Sequence, residues 1–510
     1  MQDWSDGYVT DIAYTYGYYT ELNPLRARIA LLDSGIVPPD VRVACELGFG
    51  QGVSVNVHDA ASGIAWHGTD FNPAHAAFAS ELAGATPLAG RLFDQSFEEY
   101  CSRKDLPDFD FIGLHGIWSW VSDANRALIA DFVKRKLKVG GVLYVSYNTQ
   151  PGWAAMTPLK DLLTAYVDTM AAHGTPLVER IGAGLDFIEK MLEGAGYARA
   201  NPAVAELVKR LRSQDRNYLV HEYLNKDWMP MPFARMADCM ASLKLQFAGS
   251  AHYLDHVAAL NLNKEQQQML AGIGDPVFQE TVRDFIVNQR FRRDYWVRGL
   301  RRLRPLEQIE RLRAERVVLA VPPAQVKFTV AGLLGEAALH RPVYEPVVEA
   351  LADHRHRSIG EVEQAVARHG VSQGQAIQAI MVLVGNGTLH TVQDVEAIER
   401  AGPATARLNG ALLQHARSSG DMAFLASPVT GGGVQVGRIE QLFLLAQRQG
   451  IAEPEGWARF AMDLLERQGQ NLLDGDKPFS SAALQLRALE DQARQAAEVR
   501  LPLLRELGIA

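Results

Sequence analysis

Cysteine is scarce in this 510-residue chain: only Cys45, Cys101 and Cys239 occur, far apart in sequence. That excludes a disulfide framework and a thiolate zinc site. Long apolar runs are missing as well. Uncharged apolar stretches such as Ala379–Val384 fall far short of the ~20 residues that span a bilayer. The opening MQDWSDGYVTDIAYTYGYYTELNP has neither a basic start nor an apolar core, so no signal peptide is expected and the expected location is the cytoplasm. A basic surplus is absent too: 51 Lys and Arg stand against 59 Asp and Glu, a net charge of −8. Coating nucleic acid needs excess cations to neutralise phosphate, so that role is disfavoured. No internal repeat and no low-complexity tract appears.

What is present is ordinary globular material, with 22% charged and 47% hydrophobic residues. At ~100–200 residues per domain the length implies roughly three domains. The first 150 residues alternate between two periods. Asn23-Pro24 opens a helix, since Asn caps and Pro at the first helical position loses no useful donor. Val41–Leu47 reads as a buried strand, Val53–Ala61 as a helix, Ile64–Thr69 as a second strand ending at Asp70, and Pro73–Leu82 as a helix. Leu88–Phe93 is a third strand ending at Asp94, Phe109–Leu114 a fourth, Ala124–Leu137 a helix, and Val142–Tyr147 a fifth strand after the Gly140-Gly141 turn. Strands alternating with helices of this length predict βαβ units and a doubly wound sheet.

Further on, residues 155–240 read as a helical insertion, joined at Pro151-Gly-Trp153. Leu243–Phe247 and Phe291–Val297 read as the last two strands of the same sheet. Tyr344–Ala352, Ile359–Ala367 and Gln375–Val384 read as three short helices, followed by a strand at Gly387–Val392, which is a winged-helix pattern. Residues 395–510 are helix-rich, apart from the turn Ser427–Gly433.

The chemistry concentrates in Glu46-Leu-Gly48-Phe-Gly50-Gln-Gly52, between a strand and a helix. Glycine there permits backbone conformations and a close ligand approach that a Cβ would block. A dinucleotide reading prefers G-x-G-x-x-G, whereas this loop is G-x-G-x-G. Asp70 ends the next strand, where a carboxylate can accept both ribose hydroxyls, and Asp94-Gln95 ends the third, where an acid or amide can read an adenine edge. Polar groups at three successive strand ends therefore face one crevice.

This set resembles the S-adenosylmethionine site of class I methyltransferases. Tyr14, Asn23-Pro-Leu-Arg26, His115–Val121, Val145–Thr149, Pro151–Trp153, His221–Leu224, Phe291-Arg292 and Ala426–Gly431 extend the likeness to bacterial methyltransferases with a methyltransferase regulatory domain, some of them protein-lysine methyltransferases. Phe49, where relatives often have Cys, and Asn23, where they often have His, depart from the pattern. The resemblance implies a Rossmann-like α/β fold. In it Gly48, Gly50 and Gly52 line the methionine and ribose of S-adenosylmethionine, and Glu46 orients the loop and the methionine amino group. Asp70 holds the ribose, Asp94 and Gln95 face adenine, and His115 borders the methyl donor.

On this reading, residues 1–154 form the cofactor-binding core, 155–240 a helical insertion or lid, and 241–325 the last strands with a regulatory segment. Residues 326–395 form a winged-helix-like domain and 396–510 a helix-rich C-terminal domain. Methyl transfer needs alignment of nucleophile, methyl and sulfur. A lysine acceptor must also lose a proton, which an apolar, aromatic pocket favours, and such faces attract cations. Tyr14, Tyr16, Tyr18, Tyr19, Trp118, Trp120, Tyr147 and Trp153 supply the aromatics, with Tyr14, His115 and Tyr147 the expected acceptor-side residues.

Other signals are weaker. His252 and His256 have helical metal spacing but no third ligand, His354-Arg-His356 is less specific still, and Cys45 lies inside a strand. Arg290–Arg316 carries a local net of +6 against −6 for residues 1–160, which a solvated surface explains. Gln373–Val384 lacks Lys and Arg, so the winged-helix-like part is expected to contact protein rather than read a groove. Three function classes stand. One is a methyltransferase acting on a protein side chain, lysine first. Another is a methyltransferase for a small molecule, glycan or nucleic acid whose C-terminal part makes a homodimer. The third is a binding protein on a methyltransferase scaffold.

Overall fold

The computed structural model describes residues 15–84, 91–170, 174–474 and 477–510. Seven strands build the central sheet: β1 (Val43–Leu47), β2 (Ala65–Asp70), β3 (Leu92–Asp94), β4 (Phe109–Leu114), β5 (Leu137–Asn148), β6 (Leu245–Ser250) and β7 (Phe291–Arg298). Their order is β3-β2-β1-β4-β5-β7-β6, and β7 runs antiparallel to both its neighbours while the rest are parallel. The expected strands are all present. The stretch from Leu88 to Gly90 expected at the start of β3 lies outside the described residues. Strand β5 starts earlier than its glycines suggested. Leu137 pairs with Phe109 and Val142 with Phe111, so the extra residues bulge out around Gly140, which adopts a φ of 85°.

Helices cover both faces. The first is α1 (Pro24–Asp33), and α2 (Val53–Ser62) and α3 (Pro73–Ala83) follow β1 and β2; α4 (Phe97–Ser102) and α5 (Asp123–Lys136) follow β3 and β4. Asn23 and Asn72 cap α1 and α3 by accepting from the N–H of Leu25 and Ala74, each with Pro in the first turn. Ser96 and Glu99 close a capping box on α4. The insertion is helical as expected: α6 (Thr157–Thr169), α7 (Leu177–Leu192), α8 (Gly196–Ala200), α9 (Ala203–Arg212) and α10 (Arg216–Tyr223) share a small core of their own, and α11 (Phe233–Ser242) leads into β6.

Downstream of the sheet come helices Arg341–Glu349, Ile359–Ala367 and Gln373–Gly385, then strand Leu389–Val392. That strand pairs with Arg316–Leu319, which also takes Arg357–Ser358 on its other side. The partner of Leu389–Val392 is thus an upstream strand rather than the next strand of a hairpin. Val317 and Leu319 join one continuous core with Ala44 and Phe111 of the sheet.

The C-terminal region packs onto α2. All ten residues of α2 are buried, and Val53 and Val57 share a core with Leu408, Leu412, Leu425 and Val434. Among the described residues no helix is long and apolar enough to cross a membrane.

Candidate functional site

Strand β1 delivers its last residue, Leu47, into a loop whose three glycines are all left-handed: φ is 74° at Gly48, 56° at Gly50 and 71° at Gly52. Only glycine adopts this region without strain. Gly52 has a second reason to lack a side chain, because a Cβ there would lie 2.4 Å from the Cβ of Ala79 in α3. The loop is pinned from behind: Gly48 and Phe49 donate their N–H groups to the Thr69 carbonyl. The Phe49 side chain is buried in the main core, where relatives were expected to carry Cys.

Asp70 closes the loop from β2. It is 7% exposed. Its Oδ2 accepts from Gly50 N–H at 2.8 Å and its Oδ1 from Asn72 N–H at 3.0 Å, with His75 Nδ1 at 3.3 Å. Gln95 lines the recess in front of the loop, and its Oε1 accepts from Arg103. Asp94 is exposed and is not on that wall. Gln95, the first residue past β3, lines the recess where an adenine edge was expected, and Asp94 does not.

Glu46 is 1% exposed, and its Oε2 finds no partner among the described residues. Burial pushes its carboxyl well above the ordinary carboxylate range, and the charge of Asp70 adds to this. A buried, unsatisfied acid is costly unless a cation or donor arrives to meet it.

His115, at the end of β4, stands between two spaces. The recess before the glycine loop is walled by Gly48, Gly50, Asp70, Gln95 and Phe97. The second cavity, about 590 Å³, reaches out to α9 and α10. Both are lined by Thr15, Tyr19, His115, Gly116 and Trp120. His115 Nδ1 shares a hydrogen bond with the Tyr144 hydroxyl at 2.8 Å. Burial holds its pKa down to about 4, with Arg293 adding to the drop against an opposing pull from Glu21, so the ring is neutral at pH 7.

Of the other expected acceptor-side residues, Tyr14 lies outside the described residues. Tyr147 requires a correction. It is fully buried, and its hydroxyl donates to Asp294 at 2.8 Å, beside Arg292. It lines neither space, because Tyr144 and Tyr147 lie on opposite faces of β5. Trp153 does reach the second cavity, under the guanidinium of Arg290 at 4.5 Å. His256 Nε2 contacts the Ser250 carbonyl, and no cluster of three metal-ligating side chains occurs among the described residues.

The second cavity also contains residues that local sequence reading did not select: Asn148, Tyr218, Glu222, Tyr223 and Arg290. Glu222 is half-buried, and burial raises its pKa to about 7. Their signals in the sequence were the segments Val145–Thr149 and His221–Leu224, which carried only a resemblance, and the basic run that opens at Arg290.

The family described as predicted methyltransferase regulatory domain matches residues 215–298, spanning α10, α11, β6 and β7. The uncharacterized protein sll1526 of Synechocystis is 38% identical over 513 residues, covering 99% of this chain and 100% of that one. The uncharacterized protein RP789 of Rickettsia prowazekii is 29% identical over 202 residues, 38% of this chain and 35% of that one. The solved structure of PKMT2 from Rickettsia typhi in complex with AdoHcy superposes with a TM-score of 0.68 over 97% of this chain and 99% of its own, at 17% identity. A second structure of PKMT2 gives 0.67 at 16% identity.

Proposed function

This chain belongs to the same family as sll1526, a family of class I methyltransferase fold that carries a methyltransferase regulatory domain, and from that premise we propose that it transfers a methyl group from S-adenosylmethionine to a protein side chain, lysine first. The observation that carries the reading is the pairing of two spaces across His115 and Tyr19, one faced by the glycine loop and Asp70, the other by aromatics and an acid.

The donor set suits the cofactor. The orphaned Glu46 Oε2 is a buried acceptor for an ammonium donor, and a cation arriving beside it would draw the carboxyl back toward its charged form. Asp70, at the end of β2, can accept ribose hydroxyls. When bound, S-adenosylmethionine would supply an electrophilic methyl group. The residues of this chain then have three tasks. Gly48 to Gly52 and Asp70 fix the donor, Tyr19 and Trp120 exclude water around the junction, and the second cavity aims the nucleophile in line. Neutral His115 adds no positive charge beside a cationic donor. The PKMT2 structure of the same fold was solved with AdoHcy, which supports S-adenosylmethionine as the methyl donor.

The test is to incubate the purified chain with methyl-labelled S-adenosylmethionine and bacterial lysate. A discrete protein band whose label resides in methyl-lysine is the expected outcome. Label that survives protease and migrates as small molecules would replace the protein acceptor with a small one. Absence of labelling, with tight S-adenosylhomocysteine binding by calorimetry, would leave a binding protein.

A further inference from the structure

Among the described residues the second cavity holds a single acid, and its neighbours show what that acid can do. Glu222 sits near the end of α10 on the cavity wall, and among the described residues its carboxyl makes no hydrogen bond or ion pair. The groups facing the same space are Tyr218, His221 and Tyr223 on its own helix, Arg210 on α9, and Arg290 ahead of β7. Tyr19 and His115 face it from the junction with the recess. Neither arginine is paired with it: Arg290 is turned over the Trp153 indole, and burial alone sets the state of Glu222. The charge of Glu222 is nonetheless felt at Tyr19, which stacks on His115. The acid therefore lies on the acceptor side of the junction, within electrostatic reach of the aromatic partition. The tyrosines around it stay protonated at pH 7, since burial raises Tyr218 and Tyr19 to about 12.

An ammonium group entering this space meets aromatic faces, which attract cations, and one unpaired carboxyl. We propose that Glu222 binds the incoming lysine ammonium and takes its proton, a role that rests on the methyl-transfer reading above. One N–H bond of the ammonium breaks and an O–H bond forms on Glu222. The freed lone pair then makes the N–C bond to the methyl carbon, the C–S bond breaks, and its electron pair stays on sulfur. The added methyl leaves the lysine nitrogen cationic, and the Glu222 carboxyl returns the proton it took to water, so one proton is released for each methyl transferred. A carboxyl that titrates near neutrality suits this exchange, because a base works best when its pKa lies close to the working pH.

The experiment compares the full chain with Glu222→Gln by infrared difference spectroscopy, using n-butylammonium as the probe, with S-adenosylhomocysteine affinity measured on both by calorimetry. The wild type should show a carboxyl C=O band that disappears as pH rises through about 7. That band should be missing from Glu222→Gln and return in Glu222→Asp, and n-butylammonium should shift its midpoint downward, since an adjacent cation favours the carboxylate. Both proteins should bind S-adenosylhomocysteine equally, and transfer to lysate protein at pH 7 should fall ~10²-fold or more in Glu222→Gln. A wild-type band unmoved by saturating n-butylammonium, with S-adenosylhomocysteine still bound, would overturn the role of Glu222 alone. Failure of both proteins to bind S-adenosylhomocysteine would overturn the methyl-transfer reading, and this inference with it.

Discussion

His115 lies flat against Tyr19, with ring centroids 3.6 Å apart and planes inclined by 19°. One ring comes from the end of β4 and the other from the segment before α1, so the stack joins the sheet to the chain that crosses in front of it. Both rings line the recess and the second cavity, and the pair forms the wall between them. Thr15, Gly116 and Trp120 line both spaces beside this pair.

Tyr19→Ala should therefore harm both sides. Loss of an aromatic pair worth ~0.5–1.5 kcal/mol corresponds to a roughly 3–10-fold weakening. It should appear in S-adenosylhomocysteine affinity by calorimetry and in KM for the protein acceptor. Tyr19→Phe keeps the ring and should stay within about 3-fold of wild type. If both variants bind as wild type does, the stack is not a wall of the site.

Asp70 is held by two backbone donors before any ligand arrives, Gly50 N–H and Asn72 N–H. It is preorganised, and its remaining lone pairs are the ones available to ribose. Asp70→Ala should reduce S-adenosylhomocysteine affinity by ~10–100-fold through loss of charge-assisted hydrogen bonds. Unchanged affinity would reject the ribose assignment.

Two glycines at the ends of α2 separate backbone strain from crowding. Gly52 and Gly63 are both left-handed, at 71° and 67°, but an added Cβ meets Ala79 at the first and nothing within 4 Å at the second. Gly63→Ala should lose only ~1–2 kcal/mol for the left-handed conformation. Gly52→Ala should lose a further ~1–3 kcal/mol for overpacking. Thermal unfolding should rank Gly52→Ala well below Gly63→Ala, and equal midpoints would contradict the close approach of α2 and α3.

The pH dependence of stability has a definite sign at His115. Its folded pKa is depressed to about 4 from the ordinary 6.5, so between these values the unfolded chain binds a proton that the folded chain does not. The stability it contributes is full above pH 6.5 and is lost as pH falls toward 4. His115→Phe keeps a ring against Tyr19 and removes the titration. Its thermal midpoint should start lower, because Tyr144 loses its partner, yet fall less than wild type when pH drops from about 6.5 to about 5. Parallel losses in the two proteins would show that His115 is not the titrating group.

The cofactor side of this site was legible because its signals are local. A glycine loop between a buried strand and a helix, and acids at successive strand ends, need only a few residues each. The acceptor side was not, since Tyr218, Glu222 and Tyr223 reach it from an insertion whose helices show amphipathic periods but no sign of where they dock. Tyr147 was expected on the acceptor side, but the sequence alone does not say which face of β5 looks at the recess, and the structure puts Tyr147 opposite Tyr144, against Asp294. The role of the segment 215–298 also needed three dimensions. It supplies β6 and β7 to the sheet and, through Tyr218, Glu222, Tyr223 and Arg290 among others, part of the lining of the second cavity, so the part described as regulatory also shapes that space.

The last turn of α2 shows why the C-terminal region belongs to the site. Carbonyls in a helix's final turn have no partner within it. Here Thr405 Oγ1 donates to the Ala60 carbonyl at 3.0 Å and Gln393 Nε2 to the Ala61 carbonyl at 2.8 Å. All four residues are buried, so removing either donor strands a carbonyl away from water, at ~1–3 kcal/mol. Because α2 begins at the glycine loop, the same contacts hold the loop from its far end. Thr405→Val and Gln393→Leu should each lower the unfolding midpoint, and together they should weaken S-adenosylhomocysteine binding although neither residue lines the recess. A double variant that is destabilised but binds the nucleoside with wild-type affinity would show that the C-terminal region supports the fold without tuning the loop.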